Sequence, residues 1–317
     1  MKEAPPPAPS QAPARPGRAF WRGVWRVSDP KITLASVAGM TLATALAAAE
    51  GALSWGWLAV TVAGVFCVEA AKNASGEVYD WDSGTDQAVA EADRSPFSGG
   101  KRVLVDGLMS RREAFGVALV AYLLCALAGL AIVLWRQPAV LWFGLVGMAL
   151  AFFYHAPPVK LSYRGLGELA VGLAYGPVIT AGTFLVQRGT VSVEVVLLSL
   201  PLGLLITAFL WINEFPDRKA DASAGKRTLV VQLGPDRAAR AFTAIVLAAY
   251  GSLVVLVPLL DLPWTALLGL AGLPHGLAAC RRLLADPDQT ARVVPAQGWT
   301  LLSVLLFAGG LSLGRVI

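Results

Sequence analysis

Residues 212–228 read INEFPDRKADASAGKRT and follow directly on an apolar run, VVLLSLPLGLLITAFLW (195–211). About 20 apolar residues are needed for a helix to cross the hydrocarbon core of a bilayer, and this run with its flanks meets that length. Charge then begins at once, with two aspartates four residues apart and a Lys-Arg pair behind them. The stretch therefore predicts a transmembrane helix that ends in a dense charged cluster at one membrane surface.

The whole chain is apolar to a similar degree. Of its 317 residues, 56% are hydrophobic and 15% are charged, and the mean hydropathy of +0.61 is well above that of an ordinary soluble domain. We predict an all-α polytopic membrane protein with nine transmembrane helices around a central cavity. The predicted spans are residues 32–49, 53–72, 114–135, 138–155, 168–187, 192–212, 239–260, 263–280 and 298–314.

Basic residues are distributed unevenly about these spans. If the spans are correct, all but three of the 26 Lys and Arg residues fall on one side, the exceptions being Arg136, Arg188 and Arg315. An excess of Lys and Arg marks the cytoplasmic side of a membrane protein. We therefore predict a multi-pass protein of the cell inner (cytoplasmic) membrane, with its N-terminus and its functional face in the cytoplasm. The net charge of +5 then reflects orientation and requires no nucleic-acid partner.

The chain divides into a tail and one membrane domain. Residues 1–30 are Pro/Ala-rich and then basic and aromatic. This composition predicts a disordered tail that ends in an interfacial anchor around Trp21 and Trp25. Residues 31–317 make up the predicted nine-helix domain.

Each of the two long cytoplasmic loops begins with an acidic cluster. The first acidic cluster comprises Glu69, Asn73, Glu77 and Asp80, and the second comprises Asn213, Asp217 and Asp221. Both repeat at four-residue steps, which places successive oxygen-bearing side chains on one face of a helix. The clusters occupy matching positions four spans apart, and we expect them to face one central cavity.

Carboxylates one helical turn apart repel each other unless a cation lies between them. A set of Asp, Glu and Asn oxygens without His or Cys suits a hard ion such as Mg²⁺, which is commonly completed by phosphate oxygens and water. Basic residues near the clusters are then candidates to bind a diphosphate. These residues are Arg94, Lys101, Arg102, Lys160, Arg164, Lys226 and Arg227.

A Mg²⁺-bound diphosphate at the membrane surface, above a cavity of apolar helices, describes a site for a polyprenyl diphosphate. The metal and the basic residues would stabilise the departing diphosphate while the allylic carbon gains positive charge. Aromatic faces would stabilise that charge, and the candidates are Tyr154, Tyr163 and Trp211. The alternative from another class is a cation transporter, because ionisable residues in membranes also mark ion paths.

The chain resembles the UbiA superfamily of membrane prenyltransferases, whose members have nine transmembrane helices. The resemblance covers roughly residues 65 to 235 and rests on N73-x-x-x-E77-x-x-D80 with the following GTD, and on D217-x-x-x-D221-x-x-x-GKRTL. The GTD, the GLGE of the loop between spans four and five, and the GKRTL are most similar to the 1,4-dihydroxy-2-naphthoate polyprenyltransferases of menaquinone biosynthesis. Two positions depart from the usual pattern: Glu77 replaces an Asp, and Gly76 replaces an Asn of the menaquinone branch.

The resemblance implies a role for each matching position. Asn73, Glu77 and Asp80 would bind one Mg²⁺, and Asp217 and Asp221 would bind the other. The implied diphosphate-binding residues are Arg94, Lys160, Lys226 and Arg227. The predicted catalytic residues are Asp80, Asp217 and Tyr154.

The predicted function is Mg²⁺-dependent transfer of a polyprenyl group from its diphosphate to an aromatic quinone precursor. The leading acceptor is 1,4-dihydroxy-2-naphthoate. The alternatives are 4-hydroxybenzoate, homogentisate, a chlorophyllide and a glycerol-phosphate lipid, since acceptor specificity depends on the shape of the pocket more than on these motifs.

Overall fold

The computed structural model describes residues 16–317. These residues contain helices and no strand, so the predicted all-α class is confirmed for the described part of the chain. Residues 1–15 of the predicted tail lie outside it. The α-helices are α1 (Pro16–Ser28), α2 (Pro30–Glu50), α3 (Trp55–Ser83), α4 (Thr85–Ala88), α5 (Arg111–Trp135), α6 (Val140–Phe153), α7 (Gly167–Leu173), α8 (Ile179–Arg188), α9 (Val193–Ser223), α10 (Leu229–Leu233), α11 (Pro235–Leu259), α12 (Leu273–Ala285) and α13 (Thr290–Val316).

Seven stretches between residues 16 and 317 are long and apolar enough to cross a membrane. They are Gly17–Glu50, Trp55–Ser83, Arg111–Trp135, Gly167–Arg188, Val193–Ser223, Pro235–Leu259 and Thr290–Val316. The other two predicted spans correspond to shorter elements: α6 has 14 residues, and residues 263–280 are divided between a 3-10 segment, Trp264–Gly272, and α12. The architecture is therefore polytopic, and the predicted count of nine spans is not confirmed by length and composition.

Helices α3 and α9 extend beyond the apolar spans that the sequence predicts. The predicted spans stop at residues 72 and 212, but α3 continues to Ser83 and α9 to Ser223. Pro216 lies inside α9 without ending it. Both acidic clusters therefore stand on helices, and their four-residue spacing directs them along one helical face.

The backbone of residues 172–176 lies in close contact with that of α9. A Cβ added at Gly176, in the short π-helical segment Ala174–Val178, would lie 2.7 Å from Cα of Gly203 in α9, and a Cβ at Gly203 would lie 2.7 Å from the carbonyl oxygen of Gly172. Glycine is required at these positions because a side chain would separate the helices. Small residues at such crossings are typical of membrane helices, which associate mainly through close packing.

The distribution of apolar side chains separates a core from an outer surface. Leu198 and Leu205 of α9, Phe242 of α11 and Phe307 of α13 are fully buried in one cluster. In contrast, α5 exposes a row of leucines: Leu119, Leu123, Leu127, Leu130 and Leu134 are each more than half exposed. An exposed apolar surface of this kind is expected to face lipid.

Helix α1 lies beside the membrane domain. Phe20, Val24 and Val27 pack on a cluster formed with α3 and Met109, whereas Trp21 and Trp25 are 67% and 69% exposed. This amphipathic arrangement, apolar on the protein side and aromatic and basic on the other, suits a helix at a membrane interface.

Candidate active site

The two acidic clusters meet at one cavity, at the charged ends of α3 and α9. The cavity has a volume of about 500 Å³. Its lining includes Asn73, Glu77, Asp80, Asn213, Asp217 and Asp221. The deepest member of the first cluster, Glu69, lines a separate small slot beneath the cavity.

Lys226 joins the two clusters across the cavity. Its Nζ lies 3.8 Å from Oδ2 of Asp80 in α3 and 3.5 Å from Oδ1 of Asp221 in α9. Burial by itself would lower the pKa of Lys226, but Asp221 and Asp80 raise the pKa well above its usual value. Lys226 therefore stays protonated and neutralises part of the acidic charge that both helices bring to this point.

Asp80 is held by residues of the loop after α6. The hydroxyl of Tyr163 donates to Oδ1 of Asp80 at 2.8 Å, and Nε2 of His155 lies 3.7 Å from Oδ2. Burial and the nearby Asp80 raise the pKa of Tyr163 to about 12, so the hydroxyl keeps its proton and acts as a donor. A Cβ at Gly76 would lie 2.7 Å from Cε1 of His155. The missing side chain at Gly76 thus makes room for an imidazole ring beside Asp80.

The 99–103 loop is held over the cavity by carboxylates from both helices. Oε1 of Glu77 accepts hydrogen bonds from the backbone N–H groups of Lys101 at 2.7 Å and Arg102 at 3.2 Å, and Oε2 accepts from Val103 at 2.8 Å. Oδ1 of Asp217 accepts from the backbone N–H of Gly99 at 2.7 Å. Both oxygens of Glu77 therefore have protein partners, which is a second task for a residue predicted to bind metal.

Asp86 lines the cavity but is not among the site residues predicted from the sequence. It follows the break between α3 and α4, it lines the cavity, and it is 3% exposed. Burial and the nearby Glu77 and Asp80 raise its pKa to about 8. The available signal was the GTD motif itself, but a position beyond the end of a helix cannot be placed by helical spacing.

The predicted diphosphate-binding residues are not all brought together. Of the four, Lys226 lines the cavity, while Arg94, Lys160 and Arg227 are absent from its lining. Arg94 and Arg227 are exposed, and Nζ of Lys160 lies over the ring of Tyr163, 5.0 Å from the centroid. Other cations line the cavity instead, namely Arg26, Lys31, Lys72, Lys101 and Arg102.

The predicted aromatic residues also have different surroundings. Tyr154 lines the cavity, and Nζ of Lys72 lies 5.4 Å from the centroid of its ring. Trp211 is buried in the core, where its indole N–H donates to the backbone carbonyl of Ala238 at 3.1 Å. Only Tyr154 and Tyr163 of the three candidates are therefore close to the acidic clusters.

The model of the UbiA prenyltransferase family matches residues 37–302, which is most of the chain and includes both acidic clusters. The chain belongs to the UbiA prenyltransferase family. It is therefore a membrane-embedded prenyltransferase, and the sequence-based resemblance to this family is confirmed.

Curated relatives extend over much of this UbiA family member. The 2-carboxy-1,4-naphthoquinone phytyltransferase of Synechocystis sp. is 28% identical over 296 residues, covering 92% of this chain and 91% of that protein. The 1,4-dihydroxy-2-naphthoate octaprenyltransferase of Bacillus subtilis is 27% identical over 234 residues, covering 74% and 73%. Both relatives belong to the naphthoate branch that the motifs favour.

A solved UbiA homologue has the same fold. The structure of a UbiA homologue from Archaeoglobus fulgidus bound to GPP and Mg²⁺ superposes with a TM-score of 0.63 at 15% identity, covering 92% of this chain and 99% of that one. At this level of identity the likeness establishes the fold.

Proposed function

We propose that this prenyltransferase transfers a polyprenyl group from polyprenyl diphosphate to an aromatic quinone precursor in a Mg²⁺-dependent reaction. The proposed acceptor is 1,4-dihydroxy-2-naphthoate, as in menaquinone biosynthesis. The observation that carries the proposal is the meeting of two acidic clusters, on α3 and α9, at one cavity that also holds Lys226 between them. The names of the relatives and the GPP and Mg²⁺ bound by the Archaeoglobus homologue support it.

The donor atoms of the cavity fit Mg²⁺. Oδ1 of Asn213 is buried and has no hydrogen-bond partner among the described residues, and Oδ1 of Asp221, also buried, has Nζ of Lys226 at 3.5 Å. No group of three His, Cys, Asp or Glu side chains between residues 16 and 317 is arranged to hold a metal ion by itself, so phosphate oxygens and water would have to complete the coordination. Mg²⁺ at diphosphate sites commonly takes a few carboxylates and completes its shell with phosphate oxygens and water. The proposed ligands are Asn73, Glu77, Asp80, Asp217 and Asp221, and bound Mg²⁺ would neutralise the leaving diphosphate.

The protein groups around the metal site divide the remaining work. Lys226, together with Lys101 and Arg102 on the loop above, would bind the diphosphate oxygens and so stabilise the charge that grows on them as the C–O bond breaks. Arg94, Lys160 and Arg227, which lie outside the lining, would act on the diphosphate only from a distance or after a movement. The face of Tyr154 would stabilise the positive charge on the allylic carbon until the acceptor carbon attacks it. The attacked ring carbon would then lose its proton, or its carboxyl group as CO₂, which restores the aromatic ring.

We also propose that α6 and the Trp264–Ala285 stretch cross the membrane, which would give the nine spans of the sequence-based prediction with the cavity on the cytoplasmic side. A thiol reagent that cannot cross membranes tests this in right-side-out vesicles, with single cysteines in a cysteine-free background. Ala139→Cys and Asp261→Cys should be labelled, whereas Gln87→Cys and Gln289→Cys should not. Labelling of Ala139→Cys without Asp261→Cys, which is the pattern for seven spans, or labelling of Gln87→Cys alone, would contradict this topology.

The catalytic proposal is tested by a prenylation assay on the detergent-purified protein. Polyprenyl diphosphate and Mg²⁺ are supplied with 1,4-dihydroxy-2-naphthoate or with one of the alternative acceptors. We expect product with the naphthoate, loss of product in EDTA, and a fall of at least 100-fold in kcat for Asp217→Ala. Glu91→Ala is the matched control, because Glu91 is an exposed acid outside the cavity.

The possible results separate the parts of the proposal. Product with another acceptor alone would keep the donor site and change the acceptor. Full activity in EDTA, or in Asp217→Ala, would refute the proposed Mg²⁺ site. Failure of the wild-type protein to bind prenyl diphosphate in Mg²⁺ would overturn the assignment of the cavity.

A further inference from the structure

Lys72 is a cavity cation that no role described above accounts for. It stands on α3, and its Nζ lies between two aromatic rings, 5.4 Å from the centroid of Tyr154 and 5.8 Å from that of Tyr175. The ammonium group is 3.5 Å from the hydroxyl of Tyr175. Among residues 16–317, no carboxylate oxygen lies within the 4.0 Å that defines an ion pair with Lys72.

An ammonium group in a membrane helix is costly without an anionic partner. Cation–π contacts with two tyrosines offset part of that cost, but within residues 16–317 the ammonium group donates a single hydrogen bond, the 3.5 Å contact to Tyr175. Lys72 also lines the cavity. An anionic ligand in the cavity would therefore complete the environment of Lys72.

The position of Lys72 distinguishes between the two substrates. The proposed diphosphate site lies around Asp80 and Lys226, whereas Lys72 precedes Asp80 by eight residues, so that its Cα lies about 12 Å deeper along the axis of α3. The diphosphate already has Lys226 and the cations of the loop. An anionic group bound at the depth of Lys72 would therefore be part of the second substrate, the aromatic acceptor.

The surroundings of Lys72 suit the edge of a flat ring. A slot of about 60 Å³ opens beneath the cavity and shares Lys72 and Tyr154 with it. Its walls include four small residues from α6, α7 and the π-helical segment, namely Gly147, Ala151, Ala170 and Ala174. A slot of this size takes one edge of an aromatic molecule, so the rest of the ring would project into the larger cavity.

The deep side of the slot offers one further polar atom. Glu69 is 4% exposed and lines the slot. Ser36 donates to Oε1 of Glu69, while Oε2 has no hydrogen-bond partner among the described residues. Glu69 and Lys72 are three residues apart and so share a face of α3. A buried carboxyl oxygen without a partner among the described residues thus lies on the same face of α3 as the ammonium group.

We propose that Lys72 binds the carboxylate of the aromatic acceptor, with the edge of the ring in the slot beside Tyr154 and a ring hydroxyl on the free oxygen of Glu69. This inference rests on the proposed transfer to an aromatic acid. It assigns the acceptor subsite to the deep end of the cavity and makes the acceptor carboxylate a specificity determinant.

The test pairs a substitution in the protein with a change in the ligand. Binding of 1,4-dihydroxy-2-naphthoate and of 1,4-dihydroxynaphthalene, which lacks the carboxylate, is measured by calorimetry without prenyl diphosphate. A hydrogen-bonded charge contributes about 1.5–3 kcal/mol, or about 10- to 100-fold in affinity. We expect wild type to prefer the acid by at least 10-fold, Lys72→Met to lose this preference, and Lys72→Arg to keep most of it. Lys219→Met, the same change at an exposed lysine of α9, should behave as wild type.

Turnover of both compounds with prenyl diphosphate provides the second measurement. Lys72→Met should raise the KM for the acid and leave both the KM for prenyl diphosphate and the turnover of the diol within about threefold. A misfolded variant would lose both acceptors, so activity with the diol reports on folding.

Either proposal can fail separately. If wild type binds the acid no better than the diol, or if Lys72→Met weakens both equally, the subsite is wrong. A preference for the acid that depends on Lys72, without any prenylated product, would retain the subsite and overturn the proposed reaction.

Discussion

Replacement of Glu77 by Ala tests the hydrogen bonds that hold the 99–103 loop over the cavity. The carboxylate accepts three backbone N–H bonds from the 99–103 loop, at 2.7, 3.2 and 2.8 Å. A hydrogen bond to a charged group contributes about 1.5–3 kcal/mol. The three bonds share one carboxylate, so their contributions are not additive. We expect the free energy of opening the 99–103 loop to be about 3 kcal/mol lower in Glu77→Ala than in wild type.

Hydrogen exchange at the amides of residues 101–103 measures this free energy directly. A change of about 3 kcal/mol corresponds to exchange about 100-fold faster. Amides in the interior of α11 should be unaffected, which separates local opening from global unfolding. Glu50→Ala is the matched control, since Glu50 is exposed at the end of α2.

The same variant separates the two roles of Glu77. Faster loop exchange with an unchanged Mg²⁺ requirement would mean that Glu77 mainly positions Lys101 and Arg102. If exchange at residues 101–103 were unchanged while the Mg²⁺ concentration for half-maximal activity rose, the reasoning from the hydrogen bonds would be refuted and Glu77 would act as a metal ligand.

Three further substitutions have defined expectations. Gly100→Ala should lower activity at least 10-fold, because the φ of Gly100 is +71° and the added Cβ would overlap the carboxylate of Asp86. The control is Gly225→Ala, at φ +73° with open space around it, which should show only the effect of backbone strain. Activity and melting temperature of the two variants are compared. Tyr163→Phe removes the 2.8 Å hydrogen bond to Asp80 and should lower kcat/KM about 10-fold, or about 1.4 kcal/mol, with melting temperature unchanged; an unaltered kcat/KM would argue against a role for this contact. Leu127→Asp places a charge on the exposed leucine row of α5 and should make the free energy of membrane insertion of this helix about 3 kcal/mol less favourable. Leu127→Ala should insert normally.

Local periodicity accounts for what the sequence predicted well. Apolar runs of membrane-crossing length predict the helices, and the step of four residues in each acidic cluster predicts a shared face on α3 and on α9. These inferences hold because helical geometry relates residues that are near one another in the chain. Both helices continue past the predicted membrane spans, to Ser83 and Ser223, because charge marks the edge of the hydrocarbon and does not itself end a helix.

The sequence by itself determined an all-helical membrane protein of the UbiA family with two acidic clusters at corresponding places. Only the tertiary structure decided which side chains surround them. Lys226 reaches both clusters while Arg94 does not line the cavity, and Glu77 bonds to a loop more than 20 residues further along the chain. The physical reason is that a loop's backbone N–H groups and long basic side chains are positioned by distant contacts, which spacing along one helix does not encode.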